Sequence, residues 1–174
     1  MATGPRDPRW AVPLTLPGLA NLYRVSTGLY RGAEPRKEGL DSLKKLGVRT
    51  VVSLRAFHSE RQAVEGSGLE YQRILNKWWH PEDEDMRRFL EIATDPTKQP
   101  VYVHCKLGAD RTGVAVAVYR VCVEGWTRAD ALTEMVTGGY HFHPGLPSLE
   151  NYVRNLDTKH VCSAARRGES ESTR

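Results

Sequence analysis

The sequence predicts an α/β fold in which a central, mostly parallel β-sheet is flanked by α-helices. Apolar, β-branched runs recur along the chain and are separated by segments with helical spacing. This alternation indicates strands that pair in parallel through right-handed crossovers, with helices over both faces of the sheet. Almost everything after residue 111 also has helical spacing, which predicts a cluster of helices on one side of the sheet.

The individual elements are assigned from their period and from the residues that end them. A period of two or a short apolar run indicates a strand, whereas apolar spacing of three and four indicates a helix. Gly after a periodic run and Pro before one mark helix ends. The predicted strands are 22–25, 29–31, 49–55, 69–75 and 100–104. The predicted helices are 37–46, 59–64, 82–94, 111–123, 127–136 and 148–156.

The chain of 174 residues is long enough for one well-packed domain. Prolines crowd its beginning, and its end is polar and charged, so both ends are predicted to be flexible. The predicted organisation is a flexible segment at 1–18, a single domain at 19–160 and a flexible tail at 161–174.

The composition is that of an ordinary globular protein, with 40% hydrophobic and 26% charged residues. The net charge is +4 and the basic residues are scattered, which argues against nucleic-acid binding and is compatible with an anionic substrate. No apolar run approaches the roughly 20 residues of a membrane span. The N-terminus does not resemble a secretory signal. We therefore expect a cytoplasmic protein; no feature indicates its oligomeric state.

Cysteine usage supports the same compartment. Cys105, Cys122 and Cys162 form an odd set without paired or metal-binding spacing, which argues against disulfides and for a reducing environment. Cys122 falls in an apolar helix and is predicted to be a small core residue. His141 and His143 lack the further ligands that a metal site needs, so no metal and no cofactor is predicted.

The segment HCKLGADRTG, at 104–113, follows a β-branched strand and opens an apolar helix. In such a place backbone amides and a helix N-terminus converge on one small anion, which predicts a phosphate-binding loop. Gly108 permits the tight turn, and Arg111 can return its planar guanidinium to two phosphate oxygens.

Cys105 lies at the mouth of this loop, where the helix dipole, the amides and Arg111 favour a thiolate. A thiolate is the nucleophile needed to attack phosphorus, and the product of that attack is a phosphocysteine. Water then hydrolyses this intermediate. Thr112 can donate its hydroxyl to the departing sulfur, and His104 is predicted to brace the loop from behind.

The pattern His-Cys-x-x-Gly-x-x-Arg-Thr resembles the signature of the protein tyrosine and dual-specificity phosphatases, whose members use no metal. The segment LYRVSTGLYRGAEPRKEGLDSLKKLGVRTVVSLR also looks like the opening of the small atypical dual-specificity phosphatases. The similarity covers about residues 20–158. It implies the cysteine-phosphatase fold, with Cys105 as the nucleophile and Arg111 as the phosphate-binding arginine. The resemblance also implies that the loop binds phosphate through Lys106, Leu107, Gly108, Ala109, Asp110 and Arg111.

The leaving oxygen needs a proton, which classical relatives take from an aspartate on a separate loop. Asp83 and Asp85 in NKWWHPEDEDM are candidates, although Pro81 followed by acidic residues is also an ordinary helix start. Asp110 is a third candidate, because it resembles the aspartate before the arginine in myotubularin loops. Its alternative role is to brace the loop, and the sequence leaves all three aspartates open.

Several residues are expected to border the pocket, because ligands bind beyond the carboxyl ends of parallel strands. Lys106 adds positive charge, as in some phosphoinositide phosphatases, but Asp110 replaces the second basic residue, which disfavours polyanionic lipid. Trp78 and Trp79 either wall a phenyl ring or anchor their loop. The other predicted pocket residues, which also fit a solvated surface, are Arg55, Lys77 and His80.

These observations predict a protein tyrosine or dual-specificity phosphatase that acts on a phosphorylated protein or on a small phosphorylated substrate. Three alternatives stay open. An inositol polyphosphate or pyrophosphate phosphatase needs a ring of basic side chains. A non-catalytic phosphate-binding module is disfavoured by the intact Cys105 and Arg111. A redox enzyme of the arsenate-reductase type needs a second cysteine near Cys105.

Overall fold

A six-stranded β-sheet forms the centre of the computed structural model, which describes residues 6–57, 59–75, 77 and 79–165. The strands are β1 (Val12–Pro13), β2 (Tyr23–Arg24), β3 (Leu29–Ala33), β4 (Thr50–Ser53), β5 (Glu70–Arg73) and β6 (Val101–Cys105). Their order in the sheet is β1-β2-β3-β6-β4-β5. The last four are parallel, whereas β1 and β2 extend the β3 edge as antiparallel strands.

Seven helices connect or cover these strands within the described ranges. They are α1 (Lys37–Lys45), α2 (Arg61–Gly66), α3 (Asp83–Thr94), α4 (Asp110–Cys122), α5 (Arg128–Thr137), α6 (Pro147–Arg154) and α7 (Thr158–Val161). The side chain of Thr127 caps α5 by accepting from the backbone N–H of Asp130. Gly47, with φ 80°, follows α1 in the left-handed conformation that commonly ends a helix. None of the seven combines the length and apolar character of a membrane span.

Side chains of β6 alternate between two core layers. Val101, Val103 and Cys105 face the layer formed with α3 to α7, whereas Tyr102 faces the layer formed with α1 and α2. Helix α4 is buried over nearly its whole length because it lies between the sheet and the other helices of its layer. The predicted helices on both faces and the predicted helical cluster are confirmed.

The parallel register brings the ends of the central strands together. Ala33 of β3 pairs with Cys105 of β6, and Ser53 of β4 pairs with His104. Because the carboxyl ends of parallel strands share one edge of the sheet, the loops after β3, β4, β5 and β6 lie around Cys105.

Each predicted strand and helix has a counterpart with bounds that differ by a few residues. Strand β1 and helix α7 were not predicted, because elements this short show no period. Strand β1 lies inside the segment 1–18, where Ala11 is also buried, and α7 reaches past residue 160. Most of the tail at 161–174 lies outside the described residues.

The expectation that the chain contains no disulfide was wrong. Cys122, at the end of α4, forms a disulfide with Cys162, directly after α7. The two cysteines are 40 residues apart, so their spacing does not reveal the pair; the packing of α4 against α7 brings them together. Cys122 is therefore a disulfide partner, and Cys105 is the free cysteine within the described ranges.

Candidate active site

Cys105 is the last residue of β6, and its side chain is buried. Residues 106–109 form a loop that leads directly into α4, which begins at Asp110. We call residues 105–111 the P-loop. Within it Lys106 and Leu107 are exposed, Gly108 and Ala109 are buried, and Asp110 and Arg111 are half-buried. The sequence-predicted nucleophile and phosphate-binding residues are thus brought together at one strand end.

Gly108 lies where no other residue fits. Its φ is 69°, and a Cβ built on it would come within 2.2 Å of the Gly32 backbone in β3. Gly32 has a matching restriction, because its own Cβ would lie 2.3 Å from the Tyr102 hydroxyl. The P-loop therefore packs backbone to backbone against β3.

Three successive P-loop carbonyls accept hydrogen bonds from outside the loop. The Glu34 backbone N–H donates to Lys106 O at 3.3 Å. The Asn21 amide donates to Leu107 O at 3.1 Å, and the Arg31 guanidinium donates to Gly108 O at 3.0 Å. In a planar trans peptide the next N–H points the opposite way, so the amides of residues 107–109 turn toward the inside of the loop. Across the described part of the chain, no backbone or side-chain acceptor takes up these amides.

Arg111 is held at the edge of the same site. One of its guanidinium nitrogens donates to Leu54 O, the first carbonyl after β4, at 2.9 Å. This single contact fixes the side chain and leaves the rest of the donor fork for an anion. Thr112, one residue later, is fully buried, and its hydroxyl has no hydrogen-bond partner among the described residues.

A buried pair lies behind Cys105. His104 Nδ1 is 3.2 Å from Cys105 O, and His104 Nε2 is 2.7 Å from the carboxylate of Glu60. The His104–Glu60 contact is close, but its two atoms are not aligned for a hydrogen bond. Burial acts to raise the pKa of Glu60, but the adjacent His104 and the Ser53 hydroxyl outweigh burial and lower the pKa to about 2.

The three candidate aspartates lie in different surroundings. Asp110 accepts hydrogen bonds from the backbone N–H and the ring of His143, at 2.9 and 2.7 Å. Asp83 accepts one from the Tyr152 hydroxyl at 2.8 Å. Burial and then the charge of Glu82 raise the pKa of Asp85. Neither Asp83 nor Asp85 bonds to the P-loop within the described residues.

Most of the other predicted pocket residues are engaged in ion pairs or in loop structure. Arg55 forms an ion pair with Glu34, and Lys77 forms one with Glu82. His80 and Lys77 form an isolated β-bridge, which tightens their loop. Trp78 and position 76 lie outside the described residues.

Exposed apolar side chains lie at the carboxyl edge of the sheet, where the P-loop also lies. They stand on the loops that follow β4, β5 and β6. We call these four residues the apolar rim: Phe57, Leu75, Trp79 and Leu107, with exposed fractions of 90%, 59%, 47% and 53%. Exposed apolar groups near a concave site are typical of a surface that contacts a ligand.

Asn21, Arg31 and Glu60 contact the P-loop or its strand but are not among the residues predicted from the sequence. Arg31 carried a signal, because a charged residue in the middle of a buried strand requires a specific partner. Asn21 and Glu60 lie in loops, where their residue types are ordinary. Only the folded chain identifies their contacts.

A cysteine at the end of a parallel strand, followed by an amide-lined loop and an arginine, defines a class of protein, the cysteine-dependent phosphatases. The family model described as "DSP-PTPase phosphatase fused to NAD+ Kinase" matches residues 20–144. The chain is 33% identical over 174 residues to the dual specificity protein phosphatase TpbA of Pseudomonas aeruginosa UCBPP-PA14, covering 98% of this chain and 77% of TpbA. The chain therefore belongs to the dual-specificity phosphatase family.

Solved structures agree with this assignment. The crystal structure of P. aeruginosa TpbA has a TM-score of 0.79 at 31% identity, covering 92% of this chain and 98% of that one. The core catalytic domain of the S. cerevisiae PP-IP phosphatase SIW14 has a TM-score of 0.76 at 17% identity, covering 91% and 96%. At that lower identity the likeness shows the fold alone. The predicted fold class, family and phosphatase activity are confirmed.

Proposed function

We propose that this phosphatase hydrolyses phosphotyrosine-type monoesters through a phosphocysteine on Cys105. The observation that carries the proposal is the P-loop: a buried free cysteine below three inward-turned amides, with Arg111 fixed beside them. This arrangement matches the size and charge of one phosphoryl group.

The proposed reaction has two steps. The Cys105 thiolate attacks phosphorus, the S–P bond forms, and the ester P–O bond breaks while an aspartic acid protonates the leaving oxygen. Water then attacks the phosphocysteine, gives its proton to the same carboxylate and releases phosphate and the thiolate. The loop amides and Arg111 stabilise the phosphoryl oxygens in both steps. The buried, unpartnered hydroxyl of Thr112 donates to the departing sulfur.

Among the aspartates, Asp85 is the first candidate for the general acid. Its raised pKa keeps the carboxyl protonated to a higher pH, which a proton donor requires. Asp110 and Asp83 are the other candidates. The hydrogen bonds from His143 and Tyr152 give Asp110 and Asp83 structural roles that do not need proton transfer.

The apolar rim favours a substrate with an aromatic or apolar body over one that is uniformly charged. A related structure is described as P. aeruginosa TpbA in complex with pTyr, with a TM-score of 0.80 at 30% identity. Both observations support a phosphotyrosyl peptide as the substrate class.

Phosphate release from a tyrosine-phosphorylated peptide, without metal and with reductant, tests the proposal. We expect release by the native protein and none by Cys105→Ser. A fully active Cys105→Ser variant would rule out the cysteine mechanism. Trapping of ³²P on the native protein, but not on the variant, identifies the intermediate directly.

Inositol pyrophosphates are the second candidate substrate class. Lys106 is exposed beside the nucleophile, and a relative named inositol diphosphatase DSP3 of Arabidopsis thaliana is 28% identical over 66% of this chain. Against it, Arg55 and Lys77 are paired with carboxylates, which reduces the positive charge offered to a polyanion. Activity on inositol pyrophosphate without activity on the peptide would reverse the order of the two candidates.

The remaining alternatives are disfavoured. A redox enzyme of the arsenate-reductase type needs a resolving cysteine, but Cys122 and Cys162 are joined to each other. A non-catalytic binding module does not require a buried nucleophilic cysteine.

The Cys122–Cys162 disulfide argues for an oxidising compartment and so against the cytoplasmic location predicted from the sequence. Mass spectrometry of the protein isolated from cells under non-reducing conditions tests this point.

A further inference from the structure

We propose that Arg31 and Asn21 are positioning residues that keep the P-loop amides pointing at the bound phosphoryl group. This inference rests on the proposed function of the P-loop. Neither side chain is expected to touch the substrate. Both act by holding carbonyls on the outer side of the loop.

Arg31 is a fully buried cation. It lies in the middle of β3, is 1% exposed, and donates to Gly108 O at 3.0 Å and to Ala109 O at 3.5 Å. Its guanidinium also stacks on the ring of Tyr140, 3.9 Å from the centroid. No carboxylate of the described residues forms an ion pair with it, and its Nε has no hydrogen-bond partner there.

A buried cation without a paired carboxylate needs another source of negative charge. Burial lowers the pKa of Arg31, and the nearby acidic groups that raise it include Tyr140, Glu134 and Cys105. The P-loop supplies this negative charge from two sides. Its carbonyl oxygens lie on the outer side, and the thiolate and the bound phosphate lie on the inner side. Arg31 is therefore placed to stabilise the loop conformation that binds an anion.

Asn21 performs the same task one peptide earlier. Its side-chain amide donates to Leu107 O at 3.1 Å and to Tyr140 O at 3.0 Å. Its backbone φ is 53°, in the left-handed region that asparagine tolerates better than most residues. Asn21 thus joins the P-loop to the segment that carries Tyr140, on which Arg31 is stacked.

Loss of these donors permits rotation of the P-loop peptides. A rotated peptide presents a carbonyl oxygen to the phosphoryl group in place of an N–H, so attraction becomes repulsion. The outer donors oppose this rotation, since a rotated carbonyl loses its bond to Arg31 or Asn21. The effect is on anion affinity and on the transition state, whose charge is spread over the equatorial phosphoryl oxygens that the amides contact.

Asn21→Gly is the main test, because glycine accepts the positive φ and removes only the side-chain amide. We expect the inhibition constant of orthovanadate to rise about tenfold and kcat/KM for p-nitrophenyl phosphate to fall by a similar factor. Arg31→Lys keeps a charge but loses the planar fork, and the expected loss is about 100-fold. Asn155→Gly is the matched control, since the exposed Asn155 side chain also donates its amide to a backbone carbonyl, that of Asn151 in α6, and contacts no P-loop residue. It should leave both constants unchanged.

The inference is overturned if folded Asn21→Gly binds orthovanadate like the native protein. A variant that is merely less stable to urea, with unchanged vanadate inhibition, also overturns it, because Asn21 would then be only structural. If Arg31→Lys fails to fold, Asn21→Gly decides alone. Calorimetric binding of inorganic phosphate to Cys105→Ser, with and without Asn21→Gly, separates this inference from the proposed function. An inactive native protein refutes the function, whereas equal phosphate affinities refute the positioning role.

Discussion

At the scale of single residues, replacement of each candidate aspartate in turn distinguishes the possible general acids. We expect Asp85→Asn to lose the basic limb of the pH profile of kcat, because burial and the charge of Glu82 raise the pKa of this carboxyl and so favour its proton-donating form. The expected loss of rate is about 100-fold on a poor leaving group such as phenyl phosphate, and less on p-nitrophenyl phosphate. Asp110→Asn and Asp83→Asn should keep the limb. The reverse pattern, with the limb lost in Asp110→Asn, would identify Asp110 as the acid.

Glu60 gives a second residue-scale prediction. Its folded-state pKa of about 2 lies below the ordinary value of 4.5, so its contribution to stability is present above pH 4.5 and is lost as the pH falls toward 2. Glu60→Gln should lower the free energy of unfolding at neutral pH by about 2 kcal/mol and weaken its decline in acid. Urea unfolding across this pH range measures both effects.

Glu65→Gln is the control for Glu60, because Glu65 is in an exposed ion pair with Arg61. Such pairs contribute at most about 1 kcal/mol. Equal losses of unfolding free energy in the two variants would show that the buried His104–Glu60 contact stabilises the fold no more than an exposed ion pair does.

At the scale of elements, the P-loop depends on its close approach to β3. Gly108→Ala should lower kcat/KM about 100-fold, because the new Cβ displaces the loop from the Gly32 backbone. Gly125→Ala is matched to it: Gly125 has φ 71°, but a Cβ there meets nothing within 4 Å. It should cost only about 1 kcal/mol of stability, with kcat/KM unchanged. Steady-state kinetics with thermal unfolding of both variants provide the measurement, and equal kinetic effects would contradict the packing argument.

The link between α4 and α7 gives another element-scale prediction. The double variant Cys122→Ser/Cys162→Ser should lose about 2–4 kcal/mol of unfolding free energy, because the disulfide closes a loop of 40 residues in the unfolded chain. Its kcat should stay unchanged, since both cysteines lie at the far end of α4 from the P-loop. Reductant should lower the unfolding midpoint of the native protein but not that of the double variant. If the unfolding midpoint of the native protein is the same with and without reductant, the disulfide does not form.

The sequence was most informative about the positions of the longer strands and helices. The apolar, β-branched run RTVVSLR and the apolar run after Arg111 predicted β4 and α4 correctly, because each element is buried on all sides along most of its length. Strand β1 and helix α7 were missed, since a two-residue strand and a four-residue helix are defined by their tertiary neighbours.

At the scale of the whole molecule, the apolar rim combines loops from three strands. Phe57→Ser should raise KM for a phosphotyrosyl peptide up to about tenfold, which corresponds to about 1.4 kcal/mol of lost apolar contact. KM for p-nitrophenyl phosphate, which is too small to span the rim, should not change. Val136→Ser is the control, because Val136 is an exposed apolar residue on α5. If Phe57→Ser leaves KM for the peptide unchanged, the apolar rim does not contact the substrate.

The sequence by itself determined the fold class, and it predicted that Cys105 and Arg111 lie together in one loop at a strand end. These features are local: a strand, a loop and a helix that follow one another in the chain, with residue types that only anion binding explains together. Tertiary structure alone decided the outer contacts of Asn21 and Arg31, the Glu60–His104 pair and the Cys122–Cys162 disulfide. Each joins residues that are distant in sequence, and strand order and helix packing, rather than spacing, determine whether they meet.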